Sequence, residues 1–178
     1  DYRTGRTVSA MERLRDRDGT IGGIPVEGPL LACIQRIRHP DKRAVAAIEY
    51  RIPPNVQSSY CVSHENHGRL AAYLRENMDR RCMATLHTPM VDENTPKGHP
   101  SFPILQSIPG IAWLDDCIEA SPSVYSVLRS AGLGTTLFVP DMQGQAPEPI
   151  LASLPMQNVS LVEPYGSVKK ITSRFSSN

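Results

Sequence analysis

The sequence predicts a mixed α/β (α+β) protein of two small subdomains, each a sheet covered by helices. Short apolar runs bounded by Gly, Pro and Asn, typical of strands, alternate with segments whose apolar residues recur every three or four positions, typical of helices. The two halves repeat this order. Between them, residues 89–109 hold five of the 16 prolines, so regular structure cannot persist there and we expect a linker loop.

Composition indicates a globular protein. The chain has 178 residues, 40% of them hydrophobic and 21% charged, which suits one domain or two small subdomains. A net charge of +1 excludes a strongly basic tail but leaves local basic patches open. No apolar run reaches the 18 or more residues that span a bilayer, and the first residues lack a signal-peptide layout, so no membrane partner is expected. Four isolated cysteines in apolar runs favour buried thiols in a reducing compartment.

The first half predicts a helix end followed by a sheet unit. In residues 1–24, Val8, Met11 and Leu14 have helical spacing, and glycines then end the helix. Residues 25–88 form the first subdomain, with strands predicted over 30–37, 57–62 and 82–88. One helix follows Pro40 and buries Ala44, Val45, Ile48 and Ile52; the next begins at the N-cap Ser63 and buries Leu70, Leu74 and Met78.

The second half predicts a similar unit over residues 110–164. Strands are expected over 110–117, 135–139 and 159–162, with a further helix over 150–154. The N-cap Ser121 and the N1 proline Pro122 open the main helix, and Gly132 follows its end. Residues 165–178 hold a last strand, predicted over 168–175, that leaves the domain.

No catalytic or cofactor constellation emerges from the residues. Phosphate-loop and serine-elbow motifs are absent, and Gly132-Leu-Gly134 follows a helix and precedes a strand, the reverse of a dinucleotide loop. Cys61, His64 and His67 lack the spacing of common zinc sites. The adjacent Asp115 and Asp116 point to opposite faces of a strand, so we interpret them as exposed solubilising charges rather than a catalytic pair.

Several segments carry a family resemblance. They are Val26-Glu-Gly-Pro-Leu-Leu-Ala-Cys-Ile, Ala47-Ile-Glu-Tyr-Arg-Ile-Pro-Pro-Asn, Gly110-Ile-Ala-Trp-Leu-Asp, Ser121-Pro-Ser-Val-Tyr-Ser-Val-Leu and Thr136-Leu-Phe-Val-Pro. Together they resemble the hinge domain of structural maintenance of chromosomes (SMC) proteins, closest to subunit five of the SMC-five/six complex. Residues 168–177 resemble the strand that leads back into the coiled coil. The glycine clusters of cohesin and condensin hinges are absent.

The resemblance implies a module without a catalytic site or cofactor, at the tip of a long antiparallel coiled coil whose ATPase heads lie elsewhere. Residues 1–24 would end the incoming coiled-coil helix, and residues 165–178 would return toward the outgoing one. The implied partners are the hinge of SMC subunit six and single-stranded DNA, with weak homodimerisation of the isolated hinge. The implied setting is the nucleus and the chromosome, in recombinational repair. Two alternatives stay open: a hinge-like domain of another SMC or chromatin protein, and a small-molecule-binding α/β enzyme domain.

Four residues are our candidates for the dimer interface: Gly132, Gly134, Thr135 and Thr136. Glycines let a second backbone approach closely, and the strand after them would offer an unpaired sheet edge. Replacing Gly134 with Glu is then expected to weaken pairing while the fold stays intact. The alternative is that both glycines only stop a helix.

Six residues are our candidates for DNA binding: Lys169, Lys170, Arg174, Phe175, Arg80 and Arg81. Basic side chains would neutralise phosphates, and the aromatic ring would stack on a base. Lys169 and Lys170 point to opposite faces of a regular strand, so one of them would face the DNA. The alternative is that all are solvated surface charges.

Overall fold

A computed structural model describes residues 2–89, 99, 103–140, 159–163 and 168–169. The α-helices in these ranges are α1 (Tyr2–Leu14), α2 (Arg43–Arg51), α3 (Pro54–Gln57), α4 (His64–Asn77), α5 (Pro103–Gln106) and α6 (Pro122–Ser130). The strands are β1 (Thr20–Ile21), β2 (Ile24–Pro25), β3 (Arg36–Ile37), β4 (Tyr60–Cys61), β5 (Leu86–His87), β6 (Ala112–Trp113), β7 (Ile118–Glu119), β8 (Thr136–Phe138), β9 (Ser160–Val162) and β10 (Val168–Lys169). Three 3₁₀ turns, Leu30–Cys33, Arg80–Cys82 and Leu133–Thr135, complete the described elements.

The predicted helices α4 and α6 begin where their caps predict. α4 starts directly after Ser63 and buries Leu70 and Leu74. α6 starts after Ser121, whose side-chain oxygen accepts the backbone N–H of Val124 at 3.3 Å and so satisfies one unpaired donor of the first turn. The helix predicted over 150–154 lies outside the described residues. None of the described helices has the length and apolar character needed to cross a bilayer.

The helix predicted after Pro40 forms, with a different buried face. α2 begins at Arg43, so Pro40 precedes its first turn. Ala44, Ala47 and Ile48 are buried, whereas the predicted core residue Val45 is 37% exposed. The difference arises because a 3.6-residue period places positions 44, 47 and 48 on one face and turns position 45 away from it.

The strand predicted over 30–37 is wrong in its first part. The run begins as a 3₁₀ turn closed by the Ala32 N–H donating to the Pro29 carbonyl at 3.0 Å. Similarly, the strand predicted over 82–88 begins at Cys82, the last residue of a 3₁₀ turn; the backbone is extended from Met83, and only β5 pairs with another strand. The hairpin of β1 and β2 has no counterpart in the sequence interpretation. Short apolar runs do not by themselves distinguish a strand from another buried backbone conformation.

The main sheet has the strand order β10–β9–β8–β6. β8 lies in its interior, since it pairs antiparallel with β6 and parallel with β9. The other described strands form three pairs: β1–β2 and β3–β7 are antiparallel, and β4–β5 is parallel. Small sheets combined with helices make this a mixed α/β fold, as the sequence predicts.

The largest buried cluster takes side chains from both sides of residues 89–109. Leu30 and Ile48 pack in it with Leu128 and Phe138. The pairing of β3 with β7 also joins the two parts of the chain. A second cluster packs α1 and the β1–β2 hairpin against α4, and a third surrounds Trp113. The subdomain boundaries stay a prediction, but the two parts share one core.

Arg15 joins the end of α1 to the rest of the domain. Its Nη1 donates to the carbonyls of Gly19 and Val26 at 2.9 and 3.1 Å, and its Nη2 donates to the carbonyl of Gly28 at 2.8 Å. Its Nε contacts the Glu12 carboxylate at 3.1 Å, one turn back in α1. One guanidinium therefore ties the last turn of the helix to three separate points of the chain.

Candidate interaction surfaces

Residues 131–136 form a tightly packed turn, which we call the Gly132 turn, and the Arg51 side chain contacts it. The Thr136 side chain is buried; its hydroxyl donates to the Gly132 carbonyl at 2.7 Å and accepts from Arg51 Nε at 2.7 Å. Gly132 has φ 131°, and a Cβ there would lie 3.2 Å from Arg51 Cζ. A side chain at this position would therefore strain the backbone and press on the guanidinium. Sequence analysis missed Arg51, because only the fold brings it to this turn.

Two parts of the dimer-interface argument are wrong. β8 is an interior strand, so Thr136 has no free backbone edge to offer a second chain. Gly134 is buried, and a Cβ there would lie 2.5 Å from Arg129 Cγ and 3.2 Å from the Arg129 carbonyl oxygen. Gly134→Glu would consequently displace the last turn of α6 rather than leave the fold intact. Gly132 and Thr135 remain partly exposed, and the assignment of this turn to the interface stays a prediction.

Arg80 and Arg81 lie exposed on a 3₁₀ turn that packs against α1. Asp79 caps the turn by accepting the backbone N–H of Arg81 at 2.9 Å. A groove of about 720 Å³ lies between α1 and the chain after α4, and its lining includes Arg6, Arg13 and the acidic Asp79. Arg80 and Arg81 do not line the groove but stand between two residues that do, Asp79 and Cys82. We call Arg6 and Arg13, together with the adjacent Arg80 and Arg81, the basic groove.

Sequence analysis missed Arg6 and Arg13. The available signal was their spacing of seven residues, which places two side chains on one face of a helix, two turns apart. Their position beside Arg80 and Arg81 depends on the packing of α1 against the chain after α4, which spacing alone does not give.

The other predicted DNA-binding residues are only partly described. The backbone of Lys169 belongs to β10 and lies opposite Leu161 of β9. In the described part of the sheet, β10 is an edge strand. Lys170, Arg174 and Phe175 lie outside the described residues, so this basic segment stays a prediction.

The interpretation of Asp115 as an exposed charge is wrong. Its side chain is fully buried, with both carboxylate oxygens within 3.0 Å of His99 Nε2. The Tyr125 hydroxyl donates to Oδ2 at 3.2 Å, and Arg129 Nε lies 3.3 Å from the same oxygen. The His99 ring stacks on Trp113 with centroids 4.2 Å apart. We call these five residues the Asp115 cluster.

The charge of Asp115 affects its neighbours. Burial raises the pKa of Tyr125 to about 12, and the Asp115 carboxylate adds to the shift. Partial desolvation, followed by the same carboxylate, also raises the pKa of Asp116, although Asp116 stays largely exposed. The two acids lie in the turn between β6 and β7, so the strand predicted over 110–117 is wrong after Trp113, and the turn rather than strand alternation places them in opposite environments.

The Asp115 cluster pairs a carboxylate with an imidazole, as many acid–base sites do, but both side chains are buried. Among the described residues, His99 and Asp115 have side chains that are 3% and 0% exposed. Over the described ranges, no three His, Cys, Asp or Glu side chains are grouped so that they could hold a metal ion. The contacts that the structure describes in the cluster are polar bonds to the Asp115 carboxylate and the stacking of His99 on Trp113.

Comparison with known proteins gives structural matches only. No family model matches the sequence, and no curated protein sequence matches it. The Smc hinge domain of Pyrococcus furiosus, solved with an extended coiled coil, is 22% identical over 94% of this chain and 54% of its own, with a TM-score of 0.57.

Two further hinge structures are similar to this chain. The SMC hinge domain of Geobacillus stearothermophilus, an asymmetric dimer, is 19% identical over 93% of this chain and 59% of its own, with a TM-score of 0.53. The Smc5/6 hinge domain of S. pombe is 17% identical over 96% of this chain and 66% of its own, with a TM-score of 0.57. The chain thus spans between about half and two thirds of each solved chain. It has the fold of an SMC hinge domain.

Proposed function

We propose that this chain is the hinge of an SMC protein, the subunit-five member of the SMC-five/six complex, and that it pairs with the hinge of subunit six. The observation that carries the proposal is the hinge fold itself, which extends over 93 to 96% of the chain in three hinge structures. One of those structures is an asymmetric hinge dimer and another is an Smc5/6 hinge. A hinge of this kind joins two chains and carries out no reaction of its own.

Co-purification with candidate partners tests the pairing. The chain is produced together with the hinge of subunit six, and light scattering measures the mass of the eluted species. We expect a 1:1 complex, tighter than any homodimer of this chain. Equal affinity for the hinges of cohesin or condensin subunits would favour the alternative of a different SMC protein, and absence of any complex would refute the proposal.

We also propose that the chain binds single-stranded DNA, through the basic groove and the basic segment that begins at Lys169. The groove supports this function because the exposed Arg80 and Arg81 lie on the turn that packs against α1, which supplies the groove-lining Arg6 and Arg13, so four cations face one acid, Asp79. Phosphates bind such clusters without regard to sequence. The proposed setting is the chromosome in the nucleus, during recombinational repair.

Fluorescence anisotropy with labelled oligonucleotides of different sequence tests DNA binding. Affinity is expected to fall with salt, with a log-log slope of about 0.7 per phosphate neutralised. Arg80→Glu with Arg81→Glu should weaken binding to all sequences and flatten the slope. Lys169, Lys170 and Arg174 changed together to Glu should do the same if the final segment takes part.

A double charge reversal elsewhere provides the control. Arg36 and Lys42 are exposed and lie outside the basic groove, so replacing both with Glu changes the net charge by the same amount as the groove variant. If the control weakens DNA binding as much as Arg80→Glu with Arg81→Glu, the effect is one of net charge and the groove is not the binding site.

A further inference from the structure

Three of the arginines whose burial the structure describes are partly buried: Arg15, Arg51 and Arg129. Arg15 contacts Glu12 and three backbone carbonyls, and Arg129 contacts Asp115. Arg51 differs, since within the described residues its side chain bonds only to the neutral hydroxyl of Thr136. Partial burial of a charge without a counter-charge costs free energy. Arg51 is therefore suited to bind a negatively charged group that another molecule supplies.

The guanidinium of Arg51 is held in a defined orientation. Its Nε donates at 2.7 Å to the hydroxyl of Thr136, a fully buried side chain that is itself fixed by the Gly132 carbonyl at 2.7 Å. The missing Cβ of Gly132 leaves the space in which the guanidinium lies. The described residues give the two terminal nitrogens no hydrogen-bond partner, although Nη2 lies beside Gly132. Their parallel N–H groups match the two oxygens of a carboxylate.

We propose that Arg51 binds an acidic side chain of the partner hinge, with its two terminal nitrogens facing the carboxylate. This inference rests on the proposed pairing and assigns to it a residue and the chemistry of its counterpart. Arg51 lies against the Gly132 turn, and residues 131–136 of that turn carry no charged side chain, so an incoming carboxylate meets no repelling acid there.

A protein carboxylate suits this position better than a DNA phosphate. Arg51 offers one cation, oriented by neighbouring groups and partly buried, which is how arginine recognises a single planar acid. DNA backbones instead bind exposed clusters of cations, as in the basic groove. Because an oriented guanidinium loses little freedom on binding, the contact contributes to the affinity of the complex as well as to its specificity.

Dissociation constants of the 1:1 complex with the subunit-six hinge test the proposal, measured by calorimetry. Arg51→Gln, which removes the charge, should raise the Kd at least tenfold and reduce its dependence on salt. Arg51→Lys keeps the charge but loses the paired donors, and should raise the Kd several-fold. The exposed Arg36 changed to Gln serves as the control and should leave the Kd within twofold of wild type.

Each outcome separates this inference from the proposed function. A wild-type chain that forms no complex refutes the pairing itself. If the wild-type chain pairs and the Arg51→Gln variant pairs equally well, only the role of Arg51 is refuted. This conclusion holds whether or not the substitution lowers the thermal stability of the unpaired chain. If the Arg51→Gln variant does not fold, the Kd of the Arg51→Lys variant is measured instead. An Arg51→Lys variant that binds with the same Kd as the wild type overturns the proposal. Loss of oligonucleotide binding with unchanged pairing would assign Arg51 to DNA and also overturn it.

Discussion

Asp115→Asn should destabilise the domain strongly although it changes few atoms. The carboxylate is fully buried and contacts His99, Tyr125 and Arg129. Breaking a buried pair costs about 3 to 5 kcal/mol, and because the Arg129 side chain is 30% exposed and so remains partly hydrated, the low end, about 3 kcal/mol, is expected. In a chain of 178 residues that corresponds to a Tm lowered by about 6 to 12 °C.

Thermal unfolding, monitored by circular dichroism, measures the change in Tm. The fluorescence of the single tryptophan reports on the cluster directly. Trp113 stacks on His99, so its fluorescence should change in the folded variant if the imidazole moves. Asp116→Asn is the matched control, because Asp116 is adjacent but exposed, and its effect should stay within about 0.5 kcal/mol. A loss below about 1 kcal/mol for Asp115→Asn, or equal losses for both variants, would refute the assigned role of the cluster.

Two further predictions concern a helix cap and the thiols. Ser121→Ala should cost about 1 kcal/mol in urea unfolding, because its side chain caps α6, whereas Ser63→Ala should cost less, since Ser63 makes no side-chain bond to the backbone of α4. Burial raises the pKa of Cys61 and of Cys117 to about 12, so both thiols should resist iodoacetamide in the folded chain at pH 8. The half-buried Cys33 should be modified first. Mass spectrometry of timed samples gives the order in which the cysteines react, and labelling of Cys117 before Cys33 would contradict the burial of Cys117.

The parts of the fold that sequence predicts are those encoded locally. Ser121 and Pro122 mark a helix start through chemistry that acts within one turn, and the spacing of Leu70 and Leu74 defines a buried face. Strand positions are less certain, because Leu30–Cys33 is as apolar as a strand and yet forms a turn. There the deciding contacts are a local bond to Pro29 and a distant one, in which Leu30 N–H donates to the Ser59 carbonyl at 3.0 Å.

The candidate surfaces depend on distant contacts and were therefore predicted less well. Asp115 looks exposed in sequence, since its compensating partners His99 and Arg129 are 16 and 14 positions away and only the fold assembles them. Gly134 is visible as a glycine, but nothing local indicates that Arg129 fills the space beside it. For the same reason, residue type alone indicated Arg80 and Arg81 but not the helix that lies against them.

The bonds made by Arg15 make the root of α1 mechanically stiff. To rotate α1 about its own axis, or to tilt it, the guanidinium must give up carbonyls at Gly19, Val26 and Gly28 together. Movement of α1 relative to the domain is consequently restrained at this joint. If the chain is a paired hinge, as proposed, and a straight helical arm extends α1, a rotation of the domain by about 5° would move a point roughly 100 Å along that arm by about 9 Å. The angle between the arms of the proposed pair would then depend on this joint as well as on the pairing.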